Sequence, residues 1–544
     1  MNMERKRIYL CLAHMSEDGA EQRYVKEAFD TNWVVPLGPN VNGFEKDLEE
    51  FVGEGKRVVA LSAGTAAVHL GLLNCGVKAG DEVIVQSFTF CASTHPVTYL
   101  GATPVLVDSE PDTWNIDPEL LEVAIKDRIA KTGKAPAAIV PVALYGMPYK
   151  ADRIMEIANK YGIPVVEDAA EGFGSRYKGQ VLGTFGKYGV LSFNGNKMIT
   201  TSGGGALITA NDDEWREIMM YATQYRESYP YYQHEKIGYN YRMSNICAGI
   251  GRGQMTVVND HLAHHKHVQG LYEQLLADVK GVTVHKQPDV RCKMADGREI
   301  PVYDSNYWLC TITIDENVKV KGQEDAYKTI VTGAVGGAAG VIHAAESAHT
   351  DCEPNANVEA MRVALDKAQI EARPVWKPMH KQPDVRCKMA DGREVPVYDS
   401  NYWLCTITID ENVKVKGQED AYKTIVTGAV GGAAGVIHAA ASAHTDCEPN
   451  ANVEAMRVAL DKAQIEARPV WKPMHKQPVY CRGNVKIEKL KNESFICQTS
   501  ESSIAYINGV SEALFKVGMC LPAGPYVSDD DVKYIVDTIK ANIL

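Results

Sequence analysis

The sequence lacks the long apolar runs that mark membrane proteins. A membrane-spanning helix needs about 20 consecutive apolar residues, and no stretch of this chain reaches that length. Near the N-terminus the apolar residues form only a short group, smaller than the core of about 7–15 residues that a secretory signal peptide requires. These two absences predict a cytoplasmic protein that has no membrane partner.

Clustered positive charge is also missing. The chain carries a net charge of −12, and it contains no run of Lys and Arg of the kind that contacts nucleic acid. We therefore do not expect a nucleic-acid partner.

Paired cysteines are a third absence. The 13 cysteines are scattered and form no Cys-x-x-Cys pair. This spacing predicts reduced thiols rather than a disulfide framework or a zinc site, and no bound metal is expected.

The chain has the size and rhythm of a large α/β protein. Its 544 residues, of which 45% are hydrophobic, are enough for at least two domains. Strand-like runs near residues 82–86, 104–107, 137–142 and 165–167 alternate with helical segments, which predicts a doubly wound and largely parallel sheet. We place a large domain at residues 1–260 and a smaller one at residues 261–544.

The rest of the chain is organised around residues 163–205. A short apolar run ends in Asp168, which puts a carboxylate at the C-terminal end of a buried strand, where open α/β sheets bind ligands. A second strand leads to Lys197. Pyridoxal phosphate requires this pair, because a lysine holds the cofactor as an imine and a carboxylate keeps the pyridine nitrogen protonated. Taken singly, a turn-capping aspartate and a surface lysine would explain the two residues equally well.

A phosphate site is indicated by a small-residue turn. The segment Ser-Ala-Gly-Thr, which ends in Gly64 and Thr65, joins a strand to a helix. The N-terminus of a helix presents free N–H groups and a positive dipole to an anion. On its own the segment is also an ordinary strand-to-helix turn.

Several longer motifs resemble one family. EDAAEGFGS and SFNGNKMITTSGGG, together with PLGPNVNGFE, SFTF, RPVWKPMH and MCLPAG, resemble the DegT-type sugar aminotransferases within the fold type I enzymes. The resemblance is closest to the bacillosamine-type enzymes that act on UDP-4-keto-6-deoxy-N-acetylhexosamines. It implies a fold type I architecture with a mostly parallel seven-stranded sheet in the large domain and a smaller α+β C-terminal domain.

The resemblance also implies roles for individual residues. Lys197 and Asp168 would be catalytic, and Glu171 would approach the phenolic oxygen of the cofactor at a position that is usually Gln or His. Asn240 would contact the cofactor phosphate of a neighbouring subunit, so a homodimer with shared active sites is expected. The remaining cofactor-binding residues would be Gly64, Thr65, Phe90 and Ser192, and the substrate-binding residues would be Pro36, Leu37, Gly38, Arg468, Trp471 and His475.

The implied reaction moves an amino group from an amino acid, with glutamate as the expected donor, to C4 of the nucleotide sugar. Lys197 would then be the general base that shuttles a proton. Two alternatives stay open: a 3-keto or GDP-linked sugar as the acceptor, and a protein that binds pyridoxal phosphate but has lost activity through the duplication described next.

The C-terminal half contains a tandem duplication. Residues 286–380 (copy 1) and 381–475 (copy 2) differ only at Ile300/Val395 and Glu346/Ala441, and the tetrapeptide HKQP brackets both copies. A solenoid needs at least three stacked repeats, so we interpret the second copy as an addition that arose by unequal recombination or by an error in assembling the sequence.

Each copy contains material for one small domain: a strand, a Gly/Ala-rich segment, a helix and the loop RPVWKPMH. The sequence does not decide which copy supplies the strand. It favours the loop of copy 2, because residues 468–475 run directly into the tail. In that tail we expect helices over residues 507–515 and 529–543.

Overall fold

A computed structural model of the chain describes residues 8–228, 233–315, 450–476, 485–489, 495–499 and 503–543, together with four short strands between residues 343 and 427. These residues belong to two compact units, the first formed by residues 1–326 and 445–544 and the second by residues 327–444. Among the described helices, none has the length and apolarity to span a bilayer.

In the first unit, twelve α-helices and nineteen strands are described. The helices are α1 Ala20–Asp30, α2 Pro39–Val52, α3 Gly64–Asn74, α4 His95–Tyr99, α5 Pro118–Thr132, α6 Ala151–Tyr161, α7 Asp212–Ala222, α8 Asn245–Met255, α9 Val258–Leu276, α10 Ala451–Lys462, α11 Val510–Val517 and α12 Asp529–Asn542. The strands of the N-terminal part are β1 Arg57–Leu61, β2 Glu82–Gln86, β3 Thr103–Val107, β4 Ala138–Val140, β5 Val166–Asp168, β6 Arg176–Tyr177, β7 Gln180–Val181, β8 Tyr188–Ser192 and β9 Gly205–Thr209.

All the remaining strands except β10 (Val282–Val284) lie in or after the duplication. They are β10 Val282–Val284, β11 Arg291–Lys293, β12 Glu299–Pro301, β13 Tyr303–Asp304, β14 Cys310–Ile314, β15 His343–Ala344, β16 Arg386–Lys388, β17 Glu394–Pro396, β18 Val426–Thr427, β19 Arg468–Pro469, β20 Val485–Lys489, β21 Phe495–Thr499, β22 Ser503–Ile507 and β23 Gly518–Leu521. In the second unit, β15 pairs with β18 and β16 pairs with β17.

Seven strands of the large sheet run in the order β1-β9-β8-β5-β4-β2-β3, with two isolated parallel bridges joining β5 to the β4 region. Three further strands, β22, β21 and β20, follow β3 in the same sheet. Only β9 is antiparallel to its neighbours among these seven. The α/β class and the mostly parallel sheet are therefore confirmed.

Local sequence explains how the flanking helices begin and end. Asp117 accepts hydrogen bonds from two N–H groups of the first turn of α5, Pro118 occupies the first helical position, and Gly133 closes the helix with a φ of +74°. Ser528 and Asp531 form a reciprocal capping box at α12. These signals can be read directly from the printed sequence.

The tail differs from the prediction. The expected helix over residues 507–515 was wrong at its start, because residues 503–507 form β22 and α11 begins only at Val510. The alternation of buried side chains does not distinguish a short central strand from one helical turn. β22 pairs in parallel with β3, and β21 and β20 extend the large sheet beyond it. The domain boundary after residue 260 stays a prediction.

The separate sheet β10-β14-β23-β19 and the helices packed on it, which we call the small domain, contain one composite copy of the repeat. Copy 1 supplies β14, which lies between β10 and β23, and copy 2 supplies α10 and β19, of which β19 pairs with the other side of β23. A buried core joins these elements to α9 and α12, and it includes side chains of both copies, such as Ile312 and Met456. The loop of copy 2 thus lies in the small domain, as the sequence analysis favoured.

Candidate active site

The two residues on which the sequence analysis depends lie at the same edge of the large sheet. Asp168 ends β5, and Lys197 lies in the loop after β8, the parallel neighbour of β5. The carboxyl ends of adjacent parallel strands meet at one edge, so these two residues approach each other there. Burial has the largest effect on the pKa of Asp168 and raises it, while the positive charge of Lys197 has a smaller, lowering effect.

Asp168 is buried and held in one orientation. Its Oδ2 accepts a hydrogen bond of 2.6 Å from the hydroxyl of Ser93, and its Oδ1 accepts one of 3.1 Å from the N–H of Ala170. Burial raises the pKa of Asp168, while these two hydrogen bonds lower it. Sequence reasoning missed Ser93, although it lies only three residues after Phe90 in the same motif.

Lys197 contacts a second buried carboxyl group and an indole ring. Its Nζ lies 3.4 Å from Oε1 of Glu171 and 4.1 Å from the centre of the Trp308 ring. The other oxygen of Glu171 accepts a hydrogen bond of 2.7 Å from the N–H of Tyr145. Burial raises the pKa of Glu171, and the charge of Lys197 opposes that shift.

The predicted phosphate cradle lies where α3 begins, close to Ser192 at the end of β8. α3 begins at Gly64 with no side-chain cap, so its first N–H groups are not engaged by a capping side chain. A Cβ on Gly64 would lie 3.0 Å from Cβ of Ser192, and a Cβ on Gly205 would lie 2.3 Å from the nitrogen of Gly64. The two glycines therefore let the start of α3 approach Ser192 and β9 closely, and phosphate binding by Gly64 and Ser192 stays a prediction. Thr65, the next residue of the helix, is half-buried.

Aromatic side chains form one wall beside this group. Phe90 is 49% exposed, and its ring centre lies 5.5 Å from that of Trp471. Trp471 in turn stacks on Tyr145 at 6.2 Å. The indole nitrogen of Trp471 is buried and has no hydrogen-bond partner among the described residues. The Phe90 ring is thus the exposed part of this wall, and the binding roles of Phe90 and Trp471 stay predictions.

Other predicted residues have contacts within the protein. His475 is buried, with Nδ1 2.6 Å from Oγ of Ser87 and Nε2 3.0 Å from Oε1 of Glu512. Arg468 forms an ion pair of 2.6 Å with Glu466. Both ring nitrogens of His475 are thus occupied by protein partners, and the substrate-binding roles of His475 and Arg468 stay predictions.

The segment predicted to contact substrate near α2 is mostly exposed. Pro36 and Leu37 are exposed, whereas Gly38 is buried with a φ of +136°. A Cβ on Gly38 would lie 2.8 Å from Oδ1 of Asn245, the atom that caps the start of α2. Gly38 thus has a packing role of its own, and a substrate contact of these three residues stays a prediction.

Asn240 is exposed and lies opposite Thr223 in an isolated antiparallel bridge. The next residue, Tyr241, accepts a hydrogen bond of 2.8 Å from the N–H of Ser62 at the start of the Gly64 turn. This segment therefore borders the cradle of its own chain. Contact of Asn240 with a second subunit stays a prediction.

Comparisons with known proteins agree with this geometry. Residues 15–326 match the DegT/DnrJ/EryC1/StrS aminotransferase family. The chain belongs to this family. Among its relatives is EpsN of Bacillus subtilis (strain 168), which bears the name of a pyridoxal phosphate-dependent aminotransferase and is 41% identical over 381 residues, or 70% of this chain and 84% of EpsN. This DegT-family chain is accordingly a pyridoxal phosphate-dependent aminotransferase.

Two further comparisons extend the match. GDP-perosamine synthase of Caulobacter vibrioides is 37% identical over 366 residues, which cover 67% of the DegT-family chain and 84% of the synthase. The crystal structure of a DegT DnrJ EryC1 StrS aminotransferase from Brucella abortus superimposes with a TM-score of 0.62 at 20% identity, covering 96% of this chain and 95% of that one. The structural likeness shows the shared fold.

Proposed function

We propose that this aminotransferase moves an amino group from an amino acid, glutamate in the first instance, to C4 of a UDP-4-keto-6-deoxy-N-acetylhexosamine. The observation that carries the proposal is the contact of the Lys197 amine with a buried carboxyl group at 3.4 Å, on the sheet edge where Asp168 is held by Ser93. The residues present fit pyridoxal phosphate, because the uncapped Gly64 turn beside Ser192 offers N–H and hydroxyl donors for its phosphate.

Bound pyridoxal phosphate supplies an aldehyde that lysine can hold covalently and a ring that accepts electrons. Lys197 would hold the aldehyde, and once the amine of the donor has displaced it, its freed Nζ would accept and return a proton as general base. Asp168 offers a negative charge to the ring nitrogen, and its fixed hydrogen bonds keep the carboxylate oriented without further reorganisation.

Glu171 acts, in this proposal, as the counter-charge that orients Lys197. Its Oε2 is fixed by the N–H of Tyr145, which leaves Oε1 directed to the lysine amine. Tyr145 itself has a φ of +54°, a backbone conformation that non-glycine residues adopt rarely. This backbone conformation directs the N–H of Tyr145 toward the carboxyl group of Glu171.

The acceptor sugar would lie against the aromatic wall. Trp471 is the predicted substrate-binding residue of this wall, and its ring centre lies 5.5 Å from that of Phe90, the exposed ring predicted to bind the cofactor. A sugar held beside Trp471 would therefore lie next to the cofactor. A nucleotide sugar is further supported by the GDP-perosamine synthase relative, whose name also keeps a GDP-linked acceptor as the second candidate. A 3-keto sugar is the third.

The covalent assignment is tested by Lys197→Ala. We expect the variant to lose the visible cofactor band and its turnover, because no amine remains to hold the aldehyde. Borohydride reduction followed by peptide mass spectrometry should place the cofactor on Lys197 in the wild type. A band that persists in the variant, or a cofactor found on another lysine, would refute the assignment.

The acceptor is tested by coupled turnover. The wild-type protein is given glutamate with a UDP-4-keto sugar, a GDP-4-keto sugar or a 3-keto sugar, and the kcat/KM values are compared. The proposal predicts the highest value for the UDP-4-keto sugar. A higher value for either of the others would transfer the proposal to that substrate class, and no turnover with any of them would favour a binding protein inactivated by the duplication.

The proposed homodimer with shared sites is tested by mixing. Asn240→Ala should weaken cofactor binding if Asn240 contacts the phosphate of the neighbouring subunit. Hybrid dimers of Lys197→Ala and Asn240→Ala chains should then regain one intact site. Sedimentation at several protein concentrations provides the oligomeric state.

A further inference from the structure

Trp308 contacts both the backbone just before Lys197 and the side-chain amine of Lys197. Its indole N–H donates a hydrogen bond of 2.7 Å to the carbonyl of Asn196, the residue just before the lysine. The face of its ring lies 4.1 Å from Nζ of Lys197. Trp308 is fully enclosed by the protein, so its position is fixed by packing. One side chain thus holds the backbone before the lysine and the amine at its end.

A second donor supports the same carbonyl. The thiol of Cys11 donates to the Asn196 oxygen at 2.6 Å. Burial raises the pKa of Cys11 to about 12, so the thiol keeps its proton and stays a donor. The N–H of Ala13 binds the neighbouring carbonyl of Gly195 at 3.2 Å. These contacts immobilise the loop, and Trp308 is the member of the set that also reaches the amine.

An ammonium group over an indole face is stabilised by the ring quadrupole, most strongly when water is excluded. Lys197 is only 12% exposed, so its amine meets the ring with little competition from solvent. On one side the amine faces Trp308 and on the other it faces Glu171. The two contacts leave the amine few alternative directions.

From this geometry we propose that Trp308 is the positioning residue of the catalytic lysine, and that its duplicate Trp403 does not share this role. The proposal rests on the proposed function of Lys197. It follows from the composite small domain, in which copy 1 supplies the segment that leads into β14. Because Trp308 fills the position against Lys197, we expect substitution of Trp403 to leave Lys197 unaffected.

The duplication provides a matched control for the test. The variants are Trp308→Leu and Trp308→Phe, each paired with the same substitution at position 403 in the full-length protein. Cofactor-free protein is acylated with an N-hydroxysuccinimide ester at one fixed pH, and peptide mass spectrometry follows the labelling of Lys197. Exposed Lys187 serves as the internal reference.

In Trp308→Leu we expect labelling of Lys197 relative to Lys187 to rise about 2- to 30-fold, the range that corresponds to a cation–π contact of about 0.5–2 kcal/mol. Trp308→Phe keeps a ring face but loses the indole N–H, so its rise should be smaller. Both variants at position 403 should label as the wild type does. Unchanged labelling in Trp308→Leu, or an equal rise in Trp403→Leu, would overturn the proposal.

Ile312→Ala serves as the control for a general loss of stability. This substitution removes a buried side chain from the small-domain core and should lower stability without raising the labelling ratio. If Trp308→Leu does not fold, the two Phe variants carry the comparison. Borohydride reduction separates the two proposals. A cofactor found on another lysine would refute the role of Lys197. A cofactor found on Lys197, together with an unchanged labelling ratio in Trp308→Leu, would refute only the role of Trp308.

Discussion

The two copies of the repeat differ at only two positions but supply different parts of the small domain. The strand β14 comes from copy 1, and the helix α10 and the strand β19 come from copy 2. Each of these segments is close in the chain to an element whose place is fixed. β10 precedes β14, and the tail that contains β23 follows α10 and β19. Chain continuity therefore decides between segments that side-chain chemistry cannot tell apart.

In contrast to the parts of the small domain, one β-hairpin forms in both copies. β11 pairs with β12 in copy 1, and β16 pairs with β17 in copy 2, with corresponding residues in register. In copy 1 the connecting turn contains Gly297 with a φ of +85°, a conformation that glycine adopts without strain. A hairpin of this kind depends on its own turn, whereas a place in a sheet depends on the neighbouring strands.

The difference between the copies is tested most strongly at Asn306 and its duplicate Asn401. The Asn306 amide donates to the carbonyls of Glu171 and Phe173 at 2.9 Å each, and its oxygen accepts from the N–H of Trp308 at 2.8 Å. Asn306→Ala leaves these buried groups unpaired, so we expect a loss of about 3 kcal/mol or more.

Urea unfolding provides the measurement, and Asn401→Ala is the matched control, for which we expect a change within about 0.5 kcal/mol. An equal loss in both variants would show that copy 2 can supply this strand as well. An unchanged Asn306→Ala protein would contradict the composite domain.

At the other end of the repeat, the comparison is between His475 and His380. His475→Ala removes the hydrogen bonds to Ser87 and Glu512, which we expect to cost about 1.5–3 kcal/mol. His380→Ala should leave the unfolding transition unchanged. If it were His380→Ala that destabilised the protein, the loop of copy 1 would be the one in place.

The effect of His475 should also depend on pH. Burial would raise the pKa of Glu512, but the interactions with His475 and, to a smaller extent, Lys476 outweigh it, so the pKa lies below its usual 4.5. The folded chain then binds fewer protons here than the unfolded chain, so this contribution is present above pH 4.5 and lost as the pH falls through the folded value. The stability gap between wild type and His475→Ala should narrow in acid; a gap that widens would reject the pairing.

The smallest effect is expected from removing one copy. Deletion of residues 316–410 joins Asp315 to Glu411 and leaves every described residue of the first unit in place. It shortens the connection to Asn450 from 134 to 39 residues, which should stabilise the protein by about 1 kcal/mol through loop-closure entropy. Cofactor content and kcat/KM should be retained. Loss of the cofactor would show that the extra copy contributes to the site.

Much of the site could be predicted because its residues are linked by short motifs. Asp168 and Glu171 share one segment, and Lys197 follows at the end of the adjacent strand, so a parallel sheet brings them together. Ser93 and Trp308 could not be predicted in this way. Their roles depend on contacts with Asp168 and Lys197 across 75 and more than 100 residues of sequence, which no local pattern encodes.

By itself, the sequence determined the strand-and-helix rhythm, the helix caps, the Gly64 turn, the pair Asp168 and Lys197, and the hairpin of each copy. These features follow from hydrophobic period, turn chemistry and motif spacing, which act over a few residues. Only the tertiary structure decided that β22 joins the large sheet, that Trp308 lies under Lys197, and that the small domain combines parts of both copies. The physical reason is that each of these outcomes depends on packing between segments that are far apart in the sequence.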